Sequence, residues 1–216
     1  MKFLKERKTV VDLCLKLSHR GYFAATGGNI AIRVDATHMA VTPSAIDYFS
    51  MTAEDVCIVK IANLEQVEGE RKPSVESGLH ARVLRDRPDV QCSIHTHQPT
   101  ASACALLGKP LKVPPELQAR IGLEVPVAGY APSGSGWLTS LVGRRLWPGV
   151  NAYLMRNHGV LCCGRDPMTA MATVEDLELV ARRHLRDRIE ARSRNVAPFL
   201  RKALERLSED LARSSH

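Results

Sequence analysis

His95 and His97 stand two residues apart at the end of an apolar run, VQCSIHTH. Alternate side chains of a strand point to one face, so this H-x-H presents two imidazoles side by side. A third histidine, His158, follows the apolar run AYLM in RNHGV. Three neutral imidazoles with a fourth position open is how a catalytic zinc is held, whereas structural sites close with four ligands. Two histidines can fall on an exposed strand by chance, but the apolar approach VQCSI argues for a strand buried behind them, which favours ligation. The fourth residue of interest is Glu76, an acid just inside a helical pattern. A carboxylate there is stabilised by the helix dipole with no further role. It gains one only if that helix start faces the histidine pair. His19, His38, His80, His184 and His216 have no comparable setting and read as ordinary.

Positioning these four residues takes a strand for the H-x-H, a second strand before His158 and a helix start for Glu76. The helix is SVESGLHARVLRD, residues 74–86, with Ser74 as its N-cap and Val75, Leu79 and Val83 along one stripe. Pro88 follows its end, and VQCSIH at 90–95 is the next strand. Upstream, residues 4–19 form an amphipathic helix stopped by Gly21, and AATGGN leads into the alternating strand NIAIRV. A glycine pair lets backbone approach a ligand and turn N–H groups toward an anion, although two glycines by themselves specify no more than a turn. Residues 39–47 give a short strand running into a turn at Pro43, 56–61 another strand, and 62–71 a polar connection. After PTASACALLG, a short helix, come the strand and loop of residues 125–136, a helix over 137–146, and the strands NAYLMRN and GVLCCG. A long helix runs from Pro167 to about Arg192, with proline favourable as its first residue, and a further amphipathic helix covers 197–212. Neighbouring strands come first and then interleave with helices, so the pattern predicts a mostly antiparallel or mixed sheet with helices on both faces.

The composition is that of a globular chain. Its 216 residues can bury a substantial core, with 44% hydrophobic and 25% charged. The +7 charge, from 30 Lys+Arg against 23 Asp+Glu, is concentrated in residues 181–195 and 200–206. Such runs are the solvated faces of helices, and no aromatic residues interleave them as stacking platforms, so nucleic acid is not expected as a partner. The six cysteines include no C-x-x-C pair and mostly sit in apolar runs, as free thiols do. The charged start MKFLKERKTVVDL is no signal peptide, and no apolar stretch is long enough to span a membrane. The expectation is a reduced, soluble, cytoplasmic protein without a membrane association.

The ordered motifs TGGN, TPSAIDY, KPSVESGLH, IHTH and RNHGV together resemble the class II aldolase/adducin family over roughly residues 5–190. Within it the chain is most similar to the L-fuculose-phosphate aldolase-like zinc sugar-phosphate aldolases. The resemblance implies a three-layer α/β/α sandwich around a mainly antiparallel sheet, usually in a homotetramer. It implies one such domain over residues 1–216, with 193–216 as a basic helical tail. It implies one Zn2+ per chain, or another divalent metal such as Mn2+ or Co2+, on His95, His97 and His158, with Glu76 as the catalytic carboxylate. In relatives the substrate's anion lies against positions matching Gly28, Asn29, Ser44, Ala45, Ser74 and Val75. A helix N-terminus at Ser74 and the glycines at 27 and 28 would offer it backbone N–H groups.

The activity so implied is retro-aldol cleavage of a small ketose or ketose phosphate through a metal-stabilised enediolate, with Glu76 moving the proton and no Schiff base. Other chemistries on the same metal stay open: a dehydratase of the methylthioribulose-phosphate type, a decarboxylase of a hydroxy-keto acid, or a pentulose-phosphate epimerase. A non-catalytic adducin-like assembly module would have no need of the histidine triad and Glu76. The chain also departs from the family. Val75 stands for a second serine and Ala45 for a glycine. Gln118 stands about twenty residues after the H-x-H, where a tyrosine is expected, and no tyrosine follows Tyr153. These changes leave the metal ligands intact and bear on the substrate.

Overall fold

The computed structural model describes residues 1–23 and 27–213, so Thr26 of the TGGN run and His216 lie outside the described residues. In chain order the elements are α1 (Leu4–His19), β1 (Asn29–Arg33), β2 (His38–Val41), β3 (Cys57–Lys60), β4 (Gln66–Glu68) and α2 (Ser77–Asp86). Then follow β5 (Cys92–Thr96), α3 (Pro99–Leu106), β6 (Leu111–Lys112), α4 (Pro115–Ile121), β7 (Glu124–Val125) and β8 (Val127–Ala128). The last five are α5 (Gly136–Gly143), β9 (Ala152–Met155), β10 (Gly159–Gly164), α6 (Pro167–Ser193) and α7 (Pro198–Arg213).

Eight strands form one sheet in the order β4-β3-β2-β1-β5-β10-β9-β8, and β6 pairs with β7 apart from it. Neighbours in the large sheet run antiparallel except β8 and β9. A parallel pair cannot close with a hairpin, and α5 supplies the crossover between those two strands. Side chains alternate between the faces. Ile30, Ile32, Ile94, Leu154 and Cys162 enter one core with α1, α3 and α6. Ala31, Leu161, Tyr153 and Cys163 enter the other with α2 and α5. All residues of β5, β9 and β10 are buried, because helices cover both faces. The expected three-layer sandwich is therefore the fold. Within α1, Val10, Leu13, Cys14 and Leu17 make the buried stripe at helical spacing. Burial of Glu178 on α6 ties two helices together: its carboxylate accepts from the backbone N–H groups of Thr100 and Ala101 at the start of α3.

Two expectations about elements change. The polar connection at 62–71 contains β4, an edge strand whose side chains are mostly exposed, so no apolar alternation marks it. The helix expected from residue 74 begins at Ser77. Val75 does not share the stripe of Leu79 and Val83; it is 67% exposed. Ser74 does not cap the helix in the usual way. Its backbone N–H donates to Thr42 in the neighbouring segment, and its hydroxyl accepts from the N–H of Glu76 at 3.2 Å.

The register brings several chain segments to one end of the sheet. Asn29 at the start of β1 pairs with His95 near the end of β5, and Val160 near the start of β10 pairs with Thr96. The β9–β10 hairpin, the loop after β8 and the turn after β2 open toward that same end, given the pair directions. Gly28 lies there with φ +99°, and a Cβ on it would stand 2.3 Å from the Phe23 ring. Gly28→Ala therefore combines left-handed backbone strain with overpacking, about 2–5 kcal/mol together. The urea midpoint of the variant is expected to fall accordingly, and an unchanged midpoint contradicts this account of the loop.

Candidate metal and active site

At this end of the sheet the structure brings His95, His97, His158 and Glu76 together. His95 lies in β5 and is fully buried; His97 follows the strand's last residue, and its N–H donates to Tyr22 O. The ring centroids of His95 and His97 are 4.7 Å apart, those of His95 and His158 4.8 Å. His158 stands in the three-residue turn between β9 and β10, where Asn157 takes the left-handed conformation (φ 54°) that asparagine tolerates. One ligand atom from each of the three histidines lies within 4.8 Å of the other two.

The protonation pattern suits a metal. His95 Nδ1 is 2.8 Å from Val160 O, which can only accept, so Nδ1 carries the proton and Nε2 keeps its lone pair. His158 Nε2 is 3.2 Å from that nitrogen. Two nitrogens bound to one zinc at a tetrahedral angle stand about 3.3–3.4 Å apart. His97 Nε2 is buried and has no hydrogen-bond partner among the described residues, a costly state for a polar atom unless a cation meets it. Burial pushes His95 down to about 3 and lowers His97, so both favour the neutral form that binds metal. The donor set is all imidazole, which suits zinc and also other first-row divalent ions. These residues fit a metal ion.

Glu76 is 4% exposed and sits at the residue before α2. Its Oε1 is 3.1 Å from His158 Nε2, and its Oε2 is 3.3 Å from His95 Nε2. Asn29 Nδ2 donates to Oε2 at 2.8 Å, and the hydroxyl of the exposed Ser133 donates to Oε1 at 2.9 Å. Burial alone raises a carboxyl pKa; the hydrogen bonds with His158 and Asn29 and the neighbouring His95 more than offset it and hold Glu76 well below the usual carboxylate range. The helix start thus faces the histidines, and Glu76 is more than an acid on a helix dipole.

Gly28, Asn29, Ser44, Ala45, Ser74 and Val75 lie in or beside the segments that meet at this end of the sheet. An antiparallel bridge between Pro43 and Pro73 sets residues 42–44 beside residues 72–74. The Ser44 N–H donates to Lys72 O and the Ser74 N–H to Thr42 O, so the Ser74 N–H is not the free helix-terminus donor that the sequence pattern suggests. Ala45 has φ 51°, a conformation that favours glycine. Val75 borders the mouth, packed against the turn at Gly134. The Asn29 amide points inward to Glu76 and His80. Gln118 donates its amide to Val113 O.

Three residues escaped the sequence reading. Ser133 lies in a glycine- and serine-rich loop with no distinguishing signal. Gly159 leaves room for the rings: a Cβ there would stand 2.6 Å from His97 Cδ2 and 3.0 Å from His95 Cε1. Its place directly after His158 was the available hint. His80, read as ordinary, is fully buried, with Nδ1 2.8 Å from Ser93 Oγ and Nε2 2.6 Å from Asn29 Oδ1. Its hint was a helical spacing of four from Glu76.

The fold is that of the class II aldolases, which are lyases. The chain belongs to the family described as Class II Aldolase and Adducin N-terminal domain, whose model matches residues 8–185. It is 33% identical over 183 residues to 5-deoxy-D-ribulose 1-phosphate aldolase of Bacillus thuringiensis serovar kurstaki, covering 82% of this chain and 83% of that protein. It is 28% identical over 190 residues to methylthioribulose-1-phosphate dehydratase of Yersinia pestis, covering 82% and 84%. Among solved structures, L-fuculose 1-phosphate aldolase superposes with a TM-score of 0.80 at 29% identity, over 96% of each chain. Among the described residues no helix is long and apolar enough to cross a membrane.

Burial sets a pH dependence for the metal-free fold. It lowers the folded-state pKa of His80 to about 4 and that of His95 to about 3, whereas a histidine in the unfolded chain titrates near 6.5. Between those values the unfolded chain binds more protons, so stability is complete above about pH 6.5 and is lost as the pH falls toward 4. The urea midpoint of metal-free protein is expected to drop steadily from pH 7 to pH 4.5. A flat profile contradicts neutral buried histidines.

Proposed function

We propose that the protein cleaves a small ketose or ketose phosphate by a retro-aldol reaction, with His95, His97 and His158 holding one zinc ion and Glu76 carrying the proton. The observation that supports this most is the buried Glu76 carboxylate set 3.1 and 3.3 Å from two of the three imidazoles. A divalent metal on the triad supplies a Lewis acid for the carbonyl and hydroxyl oxygens of the ketose. Bond cleavage releases an aldehyde and leaves an enediolate on the ketose fragment. Glu76 takes the proton of the hydroxyl on the carbon that becomes the aldehyde and returns it to the enediolate carbon left by the broken bond; its ionised form at rest suits the acceptor half of the cycle. Its Oε1 faces the mouth beside Ser133, and its Oε2 is held inside by Asn29.

The substrate's anion is read at the rim of Gly28, Asn29, Ser44, Ala45, Ser74 and Val75. The relatives named as sugar-phosphate enzymes support a phosphate there. The exposed Val75 and Ala45 lower the number of hydrogen bonds on offer, which suits looser discrimination between phosphorylated and smaller acidic or neutral substrates. Zinc is favoured by the three-imidazole set, with Mn2+ or Co2+ as substitutes. One class II aldolase-like domain with α7 as a basic tail, assembled as a homotetramer in the cytoplasm, completes the reading. Tyr130 and Trp137, 55% and 62% exposed, flank the loop at the mouth as apolar surface for a neighbouring chain to cover. A dehydratase is the second reading, favoured by the methylthioribulose-phosphate relative, since it needs the same proton carrier.

Purified protein is expected to hold about one zinc per chain and to lose it on combined His95→Ala and His97→Ala substitution, as read by metal analysis. Stoichiometric zinc in that double variant contradicts the assignment. Incubating zinc-loaded protein with ketose 1-phosphates is expected to release aldehyde.

Glu76→Gln keeps the side chain's shape and removes the proton carrier. The variant is expected to retain zinc while turnover falls by about 10²-fold or more. A near-normal rate returns Glu76 to a merely structural role.

A further inference from the structure

The hydrogen bonds behind Glu76 form a directed chain. His80 stands one helical turn after Glu76 and is fully buried; the other buried residues of α2 are Ser77 and the apolar Leu79, Ala81, Val83 and Leu84. Ser93 Oγ is 2.8 Å from His80 Nδ1, His80 Nε2 is 2.6 Å from Asn29 Oδ1, and Asn29 Nδ2 is 2.8 Å from Glu76 Oε2. An amide has one donating end and one accepting end. With its accepting end on His80, the Asn29 side chain turns a donor toward the carboxylate. That order requires the proton on His80 Nε2, and in the neutral ring the Ser93 hydroxyl then donates to Nδ1. Reversing the amide would set its oxygen against Glu76, two acceptors at hydrogen-bond distance, and would cost the pair its stabilisation.

Packing alone does not account for this residue. A leucine would fill the same space in α2 without burying two ring nitrogens, and buried polar groups are retained at a cost unless each is satisfied. Both nitrogens of His80 are satisfied, and both bonds act along the path to Glu76. The chain also divides the carboxylate: Oε2 is fixed from inside, and Oε1 remains at the mouth beside the exposed Ser133.

We propose that His80 is a positioning residue of the reaction, whose Nε2–H locks the Asn29 amide so that it donates to Glu76 Oε2 and leaves Oε1 aimed for proton transfer. The inference rests on the reading of Glu76 as the proton carrier.

The test uses zinc-loaded wild type, His80→Leu, His80→Gln and Glu76→Gln, assayed on the ketose 1-phosphate that the wild type cleaves fastest. Leucine removes both hydrogen bonds. Glutamine places an amide N–H near the position of Nε2 and can still donate to Asn29. Losing the partner that orients a site residue costs about 10–100-fold in activity, so kcat of His80→Leu is expected to fall by that factor. KM is expected to stay within about threefold, because ground-state binding is unchanged, and zinc to stay bound. His80→Gln is expected to recover most of kcat. A readout independent of turnover is the 15N spectrum of metal-free wild type, in which the His80 ring is expected to carry its proton on Nε2.

A His80→Leu protein that is folded and turns over at the wild-type kcat overturns the inference. So does a His80→Gln protein as slow as His80→Leu, or a wild-type spectrum with the proton on Nδ1. If His80→Leu does not fold, His80→Gln and the wild-type spectrum decide. A slow Glu76→Gln with a normal His80→Leu refutes the positioning role alone, and a normal Glu76→Gln refutes the reading of Glu76 beneath it.

Discussion

Burying a carboxylate among imidazoles sets the terms for the rest of this structure. Moving an ionised group out of water is expensive unless hydrogen bonds replace its hydration. Glu76 is almost entirely buried, and its compensation comes from places far apart in the chain: Asn29 at the start of β1, Ser133 in the loop after β8, and His158 in the β9–β10 turn. Holding those segments within hydrogen-bond reach of one side chain requires a rigid frame. The antiparallel register of β1, β5 and β10 supplies it, because paired strands fix which ends meet.

That frame is rigid because the sheet is buried on both faces. Alternate residues of each central strand enter separate cores, with α1, α3 and α6 on one side and α2 and α5 on the other. The polar site occupies the strand ends, where side chains can leave the apolar layers. Local geometry follows the same demand for space. Gly28 lies against the Phe23 ring, and Gly159 lets the His95 and His97 rings approach the hairpin. Function and packing thus meet at positions where a single methyl group would intrude.

The site's electrostatics separate two kinds of histidine. His95 and His97 are neutral with a nitrogen left for a cation, and His97 Nε2 lacks any hydrogen-bond partner among the described residues. His80 is equally neutral, yet both its nitrogens are engaged, so it orients other groups and has nothing left to bind an ion. Burial drives the pKa of His80 and His95 in the same direction, and the hydrogen-bond partners decide the different uses.

By itself the sequence determined the features whose signal is local. The period of two carried His95 and His97 onto one strand, helical spacing marked α1 with its observed limits, and the order of short motifs identified the family. Features set by distant contacts were decided by the tertiary structure. β4 is an exposed edge strand whose pairing with β3 leaves no apolar pattern, and the helix after Pro73 starts three residues late because Ser74 pairs with Thr42 in another segment. Val75 was read onto an apolar stripe and instead lines the mouth, since that turn carries its side chain away from the core. His80 had the same residue type as seven others in the chain. Only the approach of Asn29, from a strand far from it in sequence, and of Ser93, on the strand that follows α2, made it part of the site, because a hydrogen bond is chosen by distance and direction in space and sequence pattern records neither.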